Sequence, residues 1–287
     1  MRTIDWDYEK NNIIMIDQTL LPAEYRIIEC STIDSLCEAI IFLRVRGAPA
    51  LGAAGGFGVA LSAFRSNASS LDALIKNIEN AGKTLIATRP TAVNLSWGVK
   101  RVIRAVEDAR NIKEARMFAL DEAKAIADED VKKNMQLGEY GASLLEDGDT
   151  VMTHCNAGRL ACVDWGTALG VIRSARAEGK DIKVISSVFN KIGTYTHSIV
   201  AKEHGIPFYV AAPVSTFDFE RLEDEVEIEI RKPQELRFFA DKQIAPLEVD
   251  VYNPAFDATP MENVTGIITE NGIFSPPFLI DEVKIKI

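Results

Sequence analysis

The sequence has no apolar run approaching the ~18 residues needed to cross a membrane, and no apolar segment follows the acidic-mixed N-terminus MRTIDWDYEK to act as a secretory signal. Histidine is scarce, with three in 287 residues. The four cysteines, Cys30, Cys37, Cys155 and Cys162, show no CxxC spacing, and there is no HExxH. A protein-bound transition metal is therefore not expected. Thiols at these spacings in a chain of this size read as reduced cysteines of a cytoplasmic protein. Positive charge is also in short supply. The net charge of −10 argues against a nucleic acid or an anionic membrane as the main partner. What is present is ordinary for a globular chain, with 47% hydrophobic and 26% charged residues.

The most informative stretch is Val151–Ile172, VMTHCNAGRLACVDWGTALGVI. A short apolar run reaches the polar cluster Thr153, His154, Cys155, Asn156, turns at Ala157 and Gly158, and feeds an apolar helical pattern. Ligands of open α/β sheets sit beyond the carboxyl ends of strands, where such a turn lies. Helix-start N–H groups near the thiol would favour its thiolate. For a lone cysteine the plainer reading is a buried structural residue, and other features are needed to promote it. Cys162 has none and reads as a packing residue.

Two arginines supply such features. Arg46 precedes Gly47-Ala48-Pro49 and a run of small apolar residues from Ala50 to Ala63, which reads as an internal helix with Pro in its first turn. Arg89 precedes Pro90 and an apolar face of Val93, Trp97, Val99 and Val102. A guanidinium beside free helix N–H groups is an anion site. One such arginine would read as surface charge, whereas two in the same setting suggest a shared anionic group. No GxGxxG follows a strand, so this is not a dinucleotide fingerprint.

The chain order suggests two domains, residues 1–146 and 147–287. The first opens with strands near Ile4–Tyr8, Ile13–Ile16 and Tyr25–Glu29. Helices then run over 35–44, 50–63, 71–87, from Pro90 onward, and over 111–145 as one or two. After the turn Glu146–Asp149, strands at 150–154, 182–186 and 206–211 alternate with helices at 165–178 and 194–204, the order of a parallel sheet. Three parallel strands are few for a doubly wound domain. The Glu-rich stretch Arg221–Glu235 reads as a solvated loop or edge. The fold class is α/β.

VRGAPALG (45–52), RPTAVNL (89–95), THCNAG (153–158), GTALGVI (166–172), NKIGTY (190–195) and GIPFYVAAP (205–213) resemble the methylthioribose-1-phosphate isomerase family. NPAFDATP and GIITENG match as well, so the resemblance spans nearly the whole chain in order. The wider group includes the alpha, beta and delta regulatory subunits of initiation factor 2B and ribose-1,5-bisphosphate isomerase. The resemblance implies a helical N-terminal domain with a small antiparallel sheet, a Rossmann-like parallel-sheet C-terminal domain, and a homodimer. It implies the aldose–ketose conversion of 5-methylthioribose 1-phosphate to 5-methylthioribulose 1-phosphate in methionine salvage, with no cofactor or metal. It places Cys155 at the catalytic cysteine, and Arg46, Gly47, Ala48, Arg89, Asn190 and Lys191 at substrate-binding positions. A regulatory subunit without catalysis, or isomerisation of ribose 1,5-bisphosphate, are the alternatives.

The sequence departs from this family at one place. There, a strand like Ile182–Ser186 runs into an ETRP-type motif and further helices and strands. These include a glutamine that contacts substrate and a GAD motif whose aspartate is the second catalytic group. This chain passes from Ser186 to Ser187 and resumes just before NKIGTY, so several dozen residues are expected to be missing there. Asp164, Asp218 and Asp257 lie near matched motifs, but nothing in the sequence promotes one of them to the missing role.

Overall fold

The computed structural model describes residues 1–186, 193–219, 225–239 and 242–278. The chain begins as an antiparallel sheet of β1 (Ile4–Asp7), β2 (Asn12–Ile16) and β3 (Ile27–Cys30), in that order. Ile4, Trp6, Ile13 and Met15 are buried by the inward face. Five helices follow: α1 (Ile33–Ile41), α2 (Ala48–Arg65), α3 (Leu71–Thr88), α4 (Val93–Val106) and α5 (Ile112–Ala142). The 111–145 region is thus a single long helix. Pro90 lies in the turn ahead of α4 and not in its first turn, because the chain turns once more before Val93.

α2 is the axis of this core. It is buried from Ala50 to Ala63, as its small apolar composition demands. The bare glycines let α4 approach backbone to backbone: a Cβ on Gly98 would lie 2.0 Å from the carbonyl oxygen of Gly52. Gly52 meets α4 at Asn94, Gly55 meets it at Leu95 and Val99, and Gly56 meets Val102. The contacts advance in the same direction along both helices, so the starts of α2 and α4 share one end of the bundle. Trp6 stacks on Phe57 of α2, with ring centroids 6.2 Å apart, and ties the small sheet to this axis.

Beyond α5 come β4 (Thr150–Thr153), a 3₁₀ turn at Arg159–Ala161, α6 (Ala168–Ala177), β5 (Lys183–Ser186), α7 (Thr194–Glu203) and β6 (Tyr209–Ala211). After them come α8 (Gln234–Arg237), β7 (Phe238–Phe239), β8 (Lys242–Gln243), β9 (Gly266–Thr269) and β10 (Gly272–Phe274). The expected run of three consecutive parallel strands is not formed among the described residues. β4 pairs with β5 in parallel, and β6 pairs in parallel with β9, which continues antiparallel into β10. β7 and β8 form a separate two-stranded ribbon.

The two parallel pairs belong to different half-sheets, and their surfaces show a deficit. Strands of parallel sheets are normally covered on both faces. α6 covers one side of the β4–β5 pair, where Ile172, Ala175 and Ile182 pack with Ala142. Yet Val184 and Ile185 are 44% and 55% exposed. Neighbouring strand residues point to opposite faces, so β5 is only partly covered on either by the described residues. Met152 of β4 is exposed as well. β5 ends at Ser186, where the sequence departs from the family it resembles.

Candidate active site

The two arginines of Arg44-Val45-Arg46 have opposite environments. Arg44 is locked by carboxylates: its Nη1 lies 2.6 Å from Asp17 and its Nη2 2.8 Å from Glu38. Burial pushes Asp17 up, but hydrogen bonds from Thr19 and Arg44 outweigh it and hold the carboxyl below its usual range. Arg46, by contrast, has a buried Nε with no hydrogen-bond partner. A buried donor left unmade costs roughly 1–3 kcal/mol, so such a group points to a ligand position.

The helix ends that receive these residues differ from their neighbours in a related way. α1, α3 and α5 are capped by the side chains of Thr32, Ser70 and Asn111. α2 and α4 start at Gly47 and Ala92 with no side-chain cap. At the start of α4, Val93 N is taken by Thr91 O at 3.1 Å and Leu95 N by Ala92 O at 3.0 Å, so the first-turn N–H groups that an anion would complement at this end of the bundle are those of Ala48 and Ala50 in α2 and Asn94 in α4. Arg89, ahead of α4, is 12% exposed and is already paired: its Nη2 lies 2.9 Å from Oε2 of Glu229. The Glu-rich stretch is therefore not merely solvated at this point; Glu229 is drawn in by a buried cation.

The segment after β4 closes onto this end. Gly47 has φ +101°, and a Cβ there would lie 2.3 Å from the carbonyl oxygen of Ala161. The 3₁₀ turn is thus seated on the residue next to Arg46. It is held there from several sides. The Gln18 side-chain amide donates to Leu160 O at 2.7 Å, the Thr3 hydroxyl to Arg159 O at 2.7 Å, and Thr3 N to Val163 O at 2.9 Å. Arg159 reaches the carbonyl of Met1. The small N-terminal sheet thereby fixes the loop that carries Cys155.

Cys155 itself is partly exposed, with φ +70°, a left-handed conformation that a non-glycine residue holds only when its surroundings impose it. Its carbonyl accepts from Ala157 N at 3.1 Å. The helix expected over 165–178 forms as α6, with its start three residues later. α6 begins only at Ala168, and its Leu169 N is taken by Ala157 O at 3.2 Å. The loop needs this length because it must first reach Gly47 and then fold back through the Gly158–Gly166 bridge. The neighbouring Thr153 has a buried Oγ1 without a partner. Cys162 is fully buried; burial first, and the charge of Asp130 second, push its thiol up and keep it protonated.

α7 arrives from the other side. The rings of His154 and His197 lie 4.6 Å apart, and His197 Nδ1 is 2.6 Å from Gly193 O at the start of α7. Asn190 and Lys191 lie outside the described residues, but Gly193 follows them closely in the chain. Of the residues expected at the site, Arg46, Gly47, Ala48, Arg89 and Cys155 lie on segments gathered at one end of α2 and α4. Asp257 is occupied in capping α7, accepting from Gly193 N at 2.6 Å. Asp164 accepts from Trp165 N at 2.6 Å and faces Arg159 and Arg173.

Asp130 was not legible as a site residue. Its Oδ2 accepts from Val163 N at 2.7 Å and its Oδ1 from the Asn134 amide at 2.9 Å. Burial drives its carboxyl up to about 7, against those hydrogen bonds and the charges of Lys133 and Arg2. With Pro49, Asn94, Trp97 and Lys133 it lines a cavity of about 10 Å³, room for one water. The signal was present in the sequence: Ala123, Ile126, Ala127, Asp130, Asn134 and Leu137 follow helical spacing, which puts two polar residues on the buried face of α5.

Residues 44–187 and 185–276 match the model of the Initiation factor 2 subunit family. A Methanosarcina acetivorans protein, provisionally named methylthioribose-1-phosphate isomerase, is 54% identical, with 99% of this chain and 97% of that protein covered. The methylthioribose-1-phosphate isomerase of Heliobacterium modesticaldum is 40% identical, with 97% of each covered. The crystal structure of 5-methylthioribose 1-phosphate isomerase from Pyrococcus horikoshii OT3 superposes with a TM-score of 0.87 at 36% identity, over 99% of this chain and 95% of that one. A structure titled translation initiation factor eIF-2B, subunit delta, from A. fulgidus gives 0.86 at 45% identity, over 99% of both chains. The Methanosarcina alignment runs over 339 positions although this chain has 287 residues. Several dozen positions of the relative therefore face no residue here, and the two family matches meet at 185–187, where β5 ends uncovered. The chain belongs to the Initiation factor 2 subunit family.

Proposed function

We propose that the site is that of an aldose–ketose isomerase acting on a sugar 1-phosphate, converting 5-methylthioribose 1-phosphate to 5-methylthioribulose 1-phosphate in methionine salvage. The observation that carries this reading is the buried, unpartnered Nε of Arg46 beside the uncapped starts of α2 and α4. It is a cationic fork next to the first-turn N–H groups of Ala48 and Ala50, suited to a phosphate. Methylthioribose-1-phosphate isomerases are the relatives that match over most of their length.

The phosphate on C1 prevents simple opening of the ring to a free aldehyde. Breaking the ring C–O bond requires an acid at the oxygen, and the shift between C1 and C2 requires proton movement or a stabilised hydride shift. Either route uses an acid–base pair. Cys155 supplies one member, held at the rim by the 159–163 turn. The second member belongs to the segment that the relatives carry where this chain passes from Ser186 to Ser187. The 287-residue chain binds the sugar phosphate, and turnover requires that segment. The protein acts in the cytoplasm as a homodimer.

Titration calorimetry with 5-methylthioribose 1-phosphate tests this. Wild type and Cys155→Ser should bind with similar affinity, and Arg46→Met should lose at least tenfold. Equal binding by Arg46→Met would refute the phosphate site. A second reading, a non-catalytic regulatory subunit, draws on the name of the A. fulgidus structure. Co-purification with an initiation factor, with no affinity for any sugar phosphate, would favour it.

A further inference from the structure

Two stretches far apart in sequence, 229–231 and 253–257, run side by side across the site. Ala255 N donates to Glu229 O at 2.8 Å and Arg231 N to Asn253 O at 2.8 Å, with an antiparallel bridge between Ile230 and Pro254. Each stretch sends one carboxylate to a different part of the site. Glu229 Oε2 takes Nη2 of Arg89 at 2.9 Å, and its Oε1 takes Nη1 of Arg231 at 3.2 Å. Asp257 Oδ2 takes Gly193 N at 2.6 Å, and Tyr195 N lies 3.3 Å from both of its oxygens. The backbone that Asp257 holds begins two residues after Lys191.

We propose that this paired strap is a positioning device for anion binding, in which Glu229 aims the Arg89 guanidinium and Asp257 anchors the start of α7, so that both are set by one rigid element. The inference rests on the phosphate site proposed above but not on the identity of the sugar. Arg89 is nearly buried and only one of its nitrogens meets Glu229; among the described residues no other group pairs with it. A guanidinium is a planar fork, so fixing one edge fixes the direction of the others. A carboxylate on that edge also keeps the buried cation compensated while the site is empty. At the other end, Gly193 has φ +108°, so the chain enters α7 through a tight turn that Asp257 closes. Moving the strap would move both ends together.

The test uses the 287-residue protein with α-D-ribose 1-phosphate and 5-methylthioribose 1-phosphate as probes, Kd by calorimetry and Tm as a check on folding. Glu229→Ala should weaken both ligands about tenfold, and Glu229→Gln, which retains an acceptor for Arg89, should recover much of that loss. Asp257→Ala should weaken binding similarly. The double variant should lose less than the sum of the single losses, since the first removal already frees the strap. Unchanged affinity in both single variants, or fully additive losses, would overturn the proposal. Tighter binding in Glu229→Ala and Glu229→Gln would overturn it too, since Glu229 would then be a competitor of the phosphate. Wild type that binds ribose 1-phosphate but not the methylthio sugar would sink the substrate assignment and leave the strap standing. Wild type that binds neither would sink both.

Discussion

Gly47 faces the backbone of Ala161 so closely that a methyl group on its α-carbon would lie 2.4 Å from the Ala161 α-carbon. This contact joins the start of α2, with Arg46 beside it, to the loop that carries Cys155. Gly47→Ala would place a Cβ 2.3 Å from Ala161 O at a φ that L-residues avoid. The expected cost is on the order of 2 kcal/mol, measured by denaturant unfolding. Sugar-phosphate affinity should fall even where the variant is folded, because the two halves of the site separate.

Arg44 and Arg46 should respond oppositely to truncation. Arg44→Met strips the buried Asp17 carboxylate of a charged partner and should destabilise the fold by on the order of 2 kcal/mol. Arg46→Met removes a buried Nε donor that has no partner among the described residues, so Tm should stay level or rise while ligand affinity is lost. A fall in Tm for Arg46→Met as large as that for Arg44→Met would mean that Arg46 is structural.

Asp130 ties pH to stability. Its carboxyl holds a proton up to about pH 7 in the fold, against an ordinary value of 3.8. Between about pH 4 and pH 7 the native state thus binds more protons than the unfolded chain, and stability from this group falls as pH rises, levelling off above pH 7. The charged and polar groups facing it are Lys133, Arg2, Asn134 and Cys162. In Asp130→Asn this dependence is gone. The Tm of the variant minus that of wild type should therefore increase from pH 4 to pH 7. A difference that is flat or falls over that range would contradict the assignment.

The helices were readable because their apolar spacing is regular and their starts are marked: Thr32 and Ser70 cap α1 and α3 where the sequence has its polar breaks. α2 was readable from composition alone, since a run of Ala and Gly with Leu, Phe and Val has no other stable place than a core. The arginines and the cysteine were legible as types at helix and strand ends, and the resemblance singled them out. Less was legible where distant segments meet. Glu229 looked solvated because its neighbours in sequence are charged, and its partner Arg89 is set by tertiary packing. Asp130 was hidden in a charged run, although its helical spacing from Ala127 and Ile126 marked the buried face. The parallel strands divide into β4 with β5 and β6 with the distant β9, a pairing that strand patterns alone do not encode.

The proposed isomerase site has its phosphate and thiol half in this chain and is completed by a segment at the Ser186–Ser187 junction. The most direct measurement is conversion of 5-methylthioribose 1-phosphate to the ketose, followed for the 287-residue chain and for the same chain with the corresponding segment of the Methanosarcina relative inserted between Ser186 and Ser187. Turnover is expected only with the insertion, without added metal, and is lost again on Cys155→Ser in the inserted chain. Full turnover by the 287-residue chain, or turnover by the inserted chain that survives Cys155→Ser, would contradict it.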